Sequence, residues 1–280
     1  MKFLVVGGKG NLGFGCVKTL QERNIESLVC DAPESLFELS QHYIYENKID
    51  AILNFSVLVD SKSCNISIER QDYQVNVSGL QHLLNLSQSL NVPLIHFSTR
   101  EVIGVRDFRN HSAESSSLRL IGPDEPMLPM NSYGMTKLIG EFMLRGNKSS
   151  AVIRLNTCYT DDWRSGRGLI STLVKKSREI GEITLDNHGE AIRDPIHIQD
   201  VTNLVLKILK KRAFGELFHV GGGQQNYLTL KDICKLANPR VKIVLGKSNL
   251  DYGFLMDISN ARGLGWEPSI LFKNWITVNK

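Results

Sequence analysis

Long apolar runs are missing from this chain: none approaches the ~20 residues that a membrane-crossing helix requires, so no membrane partner is expected. Cysteine is sparse and unpatterned. Cys16, Cys30, Cys64, Cys158 and Cys234 are odd in number and form no Cys-x-x-Cys, which argues against a disulfide framework and fits reduced thiols in a cytoplasmic chain. No cluster of Cys, His and acidic residues has metal-ligand spacing, so no metal is expected. A strong charge of one sign is also lacking. A net +4 over 280 residues is too mild for a nucleic-acid binder, although it suits an anionic ligand. Met1 and Lys2 lead straight into apolar residues, without the charged and cleavable segments of a signal peptide. No internal repeat stands out, and low complexity is confined to a short cluster at Ser115 to Ser117. What remains, 42% hydrophobic and 22% charged residues, is ordinary for a globular protein. The length allows one large α/β domain, or a large domain and a small one.

The order of elements points to a nucleotide-binding sheet. Phe3 to Val6 is a short apolar run of the kind buried in a parallel sheet, and it enters Gly7-Gly-Lys-Gly-Asn-Leu-Gly13 directly. Gly8, Gly10 and Gly13 satisfy Gly-x-Gly-x-x-Gly; Gly7, Gly10 and Gly13 satisfy the related Gly-x-x-Gly-x-x-Gly. A helix is expected over residues 14–23. Strand, glycine turn and helix bring a pyrophosphate close to the free N–H groups of a helix N-terminus. Lys9, inside that turn, is either solvent-exposed or a further phosphate contact. A second strand over 26–31 ends in Asp31, 18 residues past Gly13. A carboxylate there accepts hydrogen bonds from ribose hydroxyls and repels a 2′-phosphate, favouring NAD over NADP. Helix is expected over 35–47 and strand over 51–55. The 20 residues from Asp31 to Ala51 leave room for one helix and little else.

A long amphipathic helix is expected over 67–90, carrying Asn76 and Gly79, and a fourth strand over 93–97 that runs into Ser98 and Thr99. Hydroxyls at the C-terminal end of such a strand open onto the ligand crevice of a doubly wound sheet. Residues 105–130, with Pro123, Pro126 and Pro129, read as a surface loop. The helix beginning near Tyr133 then places Tyr133 and Lys137 four apart on one face. A charged ammonium beside a phenol favours the phenolate and lowers its pKa, which suits a general base or acid near neutral pH. Tyr-x-x-x-Lys is common by chance, so its weight comes from what precedes it. A strand over 150–155 follows, then a polar loop over 161–168, helix over 169–178 and an extended region over 183–196. Helix over 200–211, strand over 217–220 and a turn at Gly221 to Gly223 complete the pattern. A Rossmann-like, doubly wound parallel sheet is expected over residues 1–157. Residues 158–280 would form a smaller substrate-binding portion, with about 191–220 packing back on the first domain.

With Gly7, Gly10, Gly13, Thr99, Tyr133 and Lys137 together, the chain resembles the extended short-chain dehydrogenase/reductases, specifically the nucleotide-sugar epimerases and dehydratases. Asn76-Val-Ser-Gly79 resembles the family's Asn-x-x-Gly element, and Phe97 to Gly104 its Ser-Ser/Thr-x-x-Val-Tyr-Gly segment. Arg193-Asp-Pro-Ile-His-Ile-Gln-Asp200 is similar to its Arg-Asp signature. Phe218 to Gly223 and Asp257 to Trp266 are similar to its C-terminal pattern. The resemblance implies a bound NAD held by Gly7, Gly10, Asn11, Leu12, Gly13, Asp31, Phe55, Ser56, Asn76 and Lys137. It implies Tyr133 as proton carrier, Lys137 on the nicotinamide ribose and Thr99 on the reacting oxygen. It further implies a nucleotide-sugar substrate met by Thr99, Arg100, Glu101, Asn156 and Arg193, the last on the diphosphate. A homodimer is expected through the helices over 67–90 and from Tyr133 to Arg145.

Several departures narrow the choice. The extra strand that usually follows the second has no room. The dehydratases' Asp-Glu pair after the threonine is Arg100-Glu101, and an arginine cannot donate a proton near neutral pH. The family's Asn-x-Tyr-Gly is replaced by Thr157-Cys-Tyr-Thr160, with Asn156 as a stand-in. An NAD-dependent nucleotide-sugar epimerase is the first expectation. The alternatives are an NAD(P)H-dependent keto-sugar-nucleotide reductase similar to the dehydrorhamnose reductases, and a catalytically silent NAD-binding regulatory relative.

Overall fold

The computed structural model describes residues 1–31, 35–105 and 120–279. Six strands form the central sheet. They are β1 (Lys2–Val6), β2 (Glu26–Cys30), β3 (Ala51–Asn54), β4 (Leu94–Thr99), β6 (Ser150–Leu155) and β11 (Leu217–Val220). Their order across the sheet is β11-β6-β4-β3-β1-β2, with β1 parallel to both β2 and β3, and β3 parallel to β4. This is the expected Rossmann-like arrangement. Among the described residues β2 is an edge strand, in keeping with the short interval before β3.

The helices follow the expected places with instructive shifts. Helix α1 (Asn11–Glu22) starts three residues early, because Gly10 already adopts the extended conformation of an N-cap. The segment read as helix over 35–47 is helical only in α2 (Gln41–Glu46), where the Ser40 hydroxyl accepts from the N–H of Tyr43. The long helix over 67–90 is shorter and interrupted. It comprises α3 (Gln71–Tyr73), a π-helical stretch (Gln74–Ser78) and α4 (Gly79–Leu90). A π turn holds one residue more than an α turn, and here it turns Asn76 inward. Helix α5 (Ser132–Leu144) is capped by Asn131, whose side-chain oxygen accepts from the N–H of Gly134. Gly146, at φ +72, follows its end. No helix among the described residues is long and apolar enough to cross a membrane.

Part of the segment read as a loop, including the Ser115 to Ser117 cluster, lies outside the described residues. Its end is a correction: Leu120–Ile121 forms β5. Later elements are β7 (Thr157–Tyr159), α6 (Leu169–Glu179), β8 (Glu182–Leu185), β9 (Ile192–Arg193), β10 (Pro195–His197) and α7 (Ile198–Lys211). After β11 come β12 (Leu228–Thr229), α8 (Leu230–Ala237), β13 (Lys242–Leu245), β14 (Leu255–Met256), α9 (Ser259–Gly263) and α10 (Phe272–Val278). Strand β5 pairs in parallel with β14. Such short two-residue strands carry no periodicity of their own and are made by their partner.

Contacts divide the chain into two units, neither of them one continuous stretch, and part of the segment expected to return to the first domain, Thr202–Phe218, belongs to the first unit. The first contains Met1–Gly104, Pro126–Arg154 and Thr202–Phe218. The second contains Val105–Glu125, Leu155–Val201 and His219–Lys280. In the first, Leu4, Val6, Ile52, Leu80, Leu83, Leu94 and Val152 join one apolar core between sheet and helices. The second has its own core around Tyr159, Trp163, Leu173, Ile233, Phe272 and Trp275.

Candidate functional site

The glycine turn has a steric reason for its composition. Gly7 sits at φ +78, and a Cβ there would lie 2.7 Å from the backbone nitrogen of Ser56. A Cβ on Gly13 would lie 2.2 Å from the carbonyl oxygen of Gly7. Both close approaches bring β1, α1 and the end of β3 together. Gly10 is the N-cap of α1 and has no side chain to cap its first turn, so the helix N-terminus, with its positive dipole end, faces the glycine turn. The residues here therefore fit a dinucleotide's pyrophosphate. Phe55 stacks on Phe97 with centroids 3.7 Å apart, and the Ser56 hydroxyl donates to Asn54 Oδ1.

Lys9 is solvent-exposed, one of its two expected placements, and pairs with Asp31. Its ammonium lies 3.2 Å from Asp31 Oδ2, and its N–H donates to Asp31 Oδ1 at 3.1 Å. Lys9 is 81% exposed, so the pair is a solvated one, but it compensates the charge that was to repel a 2′-phosphate.

Thr99 ends β4, and its hydroxyl accepts from the N–H of Glu101 at 3.3 Å. It is also hydrogen-bonded to the phenol of Tyr133. Tyr133 lies in the first turn of α5, and its N–H donates to the carbonyl of Asp60. These contacts bring together two of the three residues singled out as chemical.

The expected electrostatics of Tyr133 and Lys137 need correction. Burial pushes the Tyr133 phenol up to about 12; the Thr99 hydrogen bond opposes this, and the charge of Glu101 adds to it. The side chain keeps some exposure, so partial solvation tempers the rise. Lys137 instead directs its ammonium to the carbonyl of Phe97 at 2.8 Å. Burial pushes this lysine down to about 7, against the pull of Glu141. A lysine that is only partly charged at neutral pH does not hold a phenolate in place. The phenol is therefore protonated at pH 7.

A buried polar cluster unforeseen from sequence lies behind Lys137. Arg154 grips Glu141 with both Nε (2.9 Å) and Nη2 (2.5 Å), and Ser98 donates to the same carboxylate at 2.5 Å. His96 sits beside it, buried, with its pKa held well below the usual value by burial and by Lys137. Asn54 uses its oxygen to accept from Ser56, so its amide nitrogen donates to His96 Nδ1 at 3.2 Å. One signal was available: Arg154 interrupts an otherwise buried strand, Ser150–Leu155, and a charge there must be paired.

Three residues expected at the ligands have protein partners in this fold. Asn76 donates to the carbonyl of Leu58 (2.9 Å) and to Thr136 Oγ1 (3.0 Å), and accepts from the N–H of Leu58 (2.9 Å). Both amide hydrogens are thereby engaged, and Asn76 braces the loop after β3 against α5. Asn156 donates to the carbonyl of Phe254 and accepts from Thr157. Both its amide nitrogen and its oxygen have protein partners here. Arg193 pairs through Nη2 with Asp251 Oδ2 at 2.8 Å and donates through Nη1 to the carbonyl of Ile192. Asp251 was missed because nothing local links residues 58 apart. Arg100 and Glu101 form the 3₁₀ turn after Thr99, with Arg100 buried.

A family model described as the RmlD substrate binding domain matches residues 1–238. The chain belongs to that family. Relatives of the RmlD-domain chain carry different chemistries on similar lengths. The dTDP-4-dehydro-6-deoxyglucose reductase of Escherichia coli is 21% identical, covering 98% of this chain and 94% of its own. The UDP-glucose 4-epimerase of Lactobacillus helveticus is 25% identical, covering 96% and 92%. In structure, the dTDP-glucose 4,6-dehydratase of Bacillus anthracis in complex with NAD matches with a TM-score of 0.81 at 20% identity, covering 100% of this chain and 95% of that one. These place the RmlD-domain chain among the extended short-chain dehydrogenase/reductases, and the structural match shows its fold.

Proposed function

We propose that the protein reduces the keto group of a nucleotide-bound sugar with a nicotinamide cofactor. What carries this is the Tyr133 phenol set against Thr99 at the C-terminal end of β4, where burial raises its pKa and favours the protonated form. A reduction needs a proton donor at the carbonyl oxygen, and a phenol that keeps its proton at neutral pH is one. Thr99 and Tyr133 would together hold that oxygen, and Tyr133 would give it the proton as the carbonyl becomes an alcohol. The cofactor, when bound, supplies the hydride to the carbon. Gly7, Gly10 and Gly13 with the first turn of α1 would hold its pyrophosphate, Asp31 the adenosine ribose and Lys137 the nicotinamide ribose. The match to the RmlD domain supports the reductive direction. Arg193 would turn to the diphosphate by leaving Asp251. A homodimer through α4 and α5 completes the proposal, with sedimentation as its check.

Dehydration is disfavoured, because Arg100 occupies the place where an acid would be needed. Epimerisation is a second reading, favoured by the Arg193 to Asp200 segment, which resembles the epimerase side of the family. The test is a panel of UDP-, dTDP-, GDP- and CDP-linked keto sugars with NADH and NADPH. Stoichiometric loss of 340 nm absorbance on the order of one cofactor per sugar supports reduction. Conversion of a sugar with catalytic NAD alone supports epimerisation. Turnover unchanged in Tyr133→Phe would remove both readings.

A further inference from the structure

We propose that Glu141 is a positioning residue that ties the end of β4 to α5 and sets a negative charge one helical turn from Lys137, so that Thr99 meets Tyr133. The inference rests on the reductase reading for its functional meaning, but its physical content does not depend on it. Glu141 lies one helical turn past Lys137, on the same face of α5. Its carboxylate is nearly inaccessible and satisfied twice over by Arg154 and once by Ser98. Ser98 stands between Phe97, whose carbonyl receives the Lys137 ammonium, and Thr99, whose hydroxyl meets the phenol. One carboxylate thus ties together the strand end, the lysine's helix and β6.

Charge makes this more than a brace. Burial alone strips the proton from a lysine, and a neutral amine is a poorer partner for ribose hydroxyls, since it loses a donor. Other charged or titratable groups reach α5 from its neighbours. His96 on β4 is buried and neutral. Arg100 and Glu101 lie on the 3₁₀ turn. Asp72 on α3 is engaged by Arg70 and Ser132, and Asp60 by Arg70. His82 on α4 bonds the carbonyl of Leu39, and Arg154 on β6 bonds Glu141 itself. Of these groups Glu141 is the carboxylate that raises Lys137. The Arg154 pairing holds it in place.

The experiment follows the Lys137 ¹³Cε resonance with pH in protein labelled at lysine, assigned by its loss in Lys137→Arg. Glu141→Gln is expected to lower the Lys137 midpoint by about one pH unit or more. Glu141→Asp, which keeps the charge, should restore most of it. Because Glu141→Gln leaves a buried arginine without its carboxylate and can unfold the chain, the paired variant Glu141→Gln/Arg154→Met carries the same test. Measured against Arg154→Met, it should lower the midpoint, because only the carboxylate differs between the two variants. The pH at which NADH affinity is lost should move down in parallel, read by cofactor fluorescence. A Lys137 midpoint unmoved in the folded variants overturns the proposal. Failure of the reductase reading has a separate signature, full turnover in Tyr133→Phe, and leaves the lysine titration untouched.

Discussion

Asp251 holds the guanidinium of Arg193 through Nη2 at 2.8 Å, inside one unit of the chain, where a diphosphate was expected. Arg193 is 7% exposed, so its partner cannot be exchanged freely for water. A phosphate must displace this carboxylate or share the fork with it. Asp251→Asn removes the competing charge while keeping the shape. We expect UDP or dTDP to bind up to about tenfold more tightly by calorimetry, with thermal stability lowered because a buried cation loses its counter-charge. Weaker nucleotide binding would show that Asp251 orients Arg193 for the ligand instead.

Lys9 and Asp31 predict the cofactor preference. Lys9→Ala leaves Asp31 uncompensated, so repulsion of a 2′-phosphate grows. The ratio of NADP to NAD dissociation constants should rise by up to about fivefold, the scale of an exposed ion pair. The effect should fade in high salt. Fluorescence titration of both reduced cofactors at two salt concentrations checks it.

Lys137 predicts a pH-dependent stability with a definite sign. Its folded value is about 7, below the ordinary 10.5. Below pH 7 it is protonated folded and unfolded, and the cost of burying the charge is present in full. Between pH 7 and 10.5 the unfolded chain holds the proton that the folded chain has released, so stability rises with pH. Lys137→Met should therefore be more stable than the parent at pH 6, by about 1–4 kcal/mol. The margin should shrink towards pH 9. Urea melts at pH 6, 7.5 and 9 measure this below the range where Tyr133 titrates. A margin that grows with pH would contradict the burial of a charged lysine.

Gly13 predicts the loss of a close approach. An added methyl group would stand 2.2 Å from the Gly7 carbonyl oxygen, which is backbone and cannot swing aside. Gly13→Ala should cost about 1–3 kcal/mol in chemical denaturation and abolish cofactor binding. Gly146→Ala is the control. Its added methyl group meets open space, but its φ of +72 exacts a conformational cost. It should lower stability while leaving cofactor binding intact.

Much of the first unit was legible from local pattern. Residues 3–6 and 7–13 announce strand and turn because the reasons are local: an apolar run is buried, and a Cβ at Gly7 or Gly13 has nowhere to go. Thr99 and Tyr133 were legible as a pair because a strand end and a helix start each carry their own signals. The interrupted helix at Asn76 was not, since a π turn depends on what the inward side chain finds, here Leu58 and Thr136.

The amino-acid order by itself determined the alternation of strands and helices, the glycine turn and the face that Tyr133 and Lys137 share. Periodicity and sterics act over a few residues, and those features need nothing more. Only the folded chain decided the charge states and the partners. It turned Lys137 to the Phe97 carbonyl, gave Arg193 to Asp251, joined Lys9 to Asp31, and set Glu141 between Arg154 and Ser98. Such pairings depend on burial and on residues far apart in the chain, and a pKa follows from the surroundings of a group rather than from its neighbours in sequence.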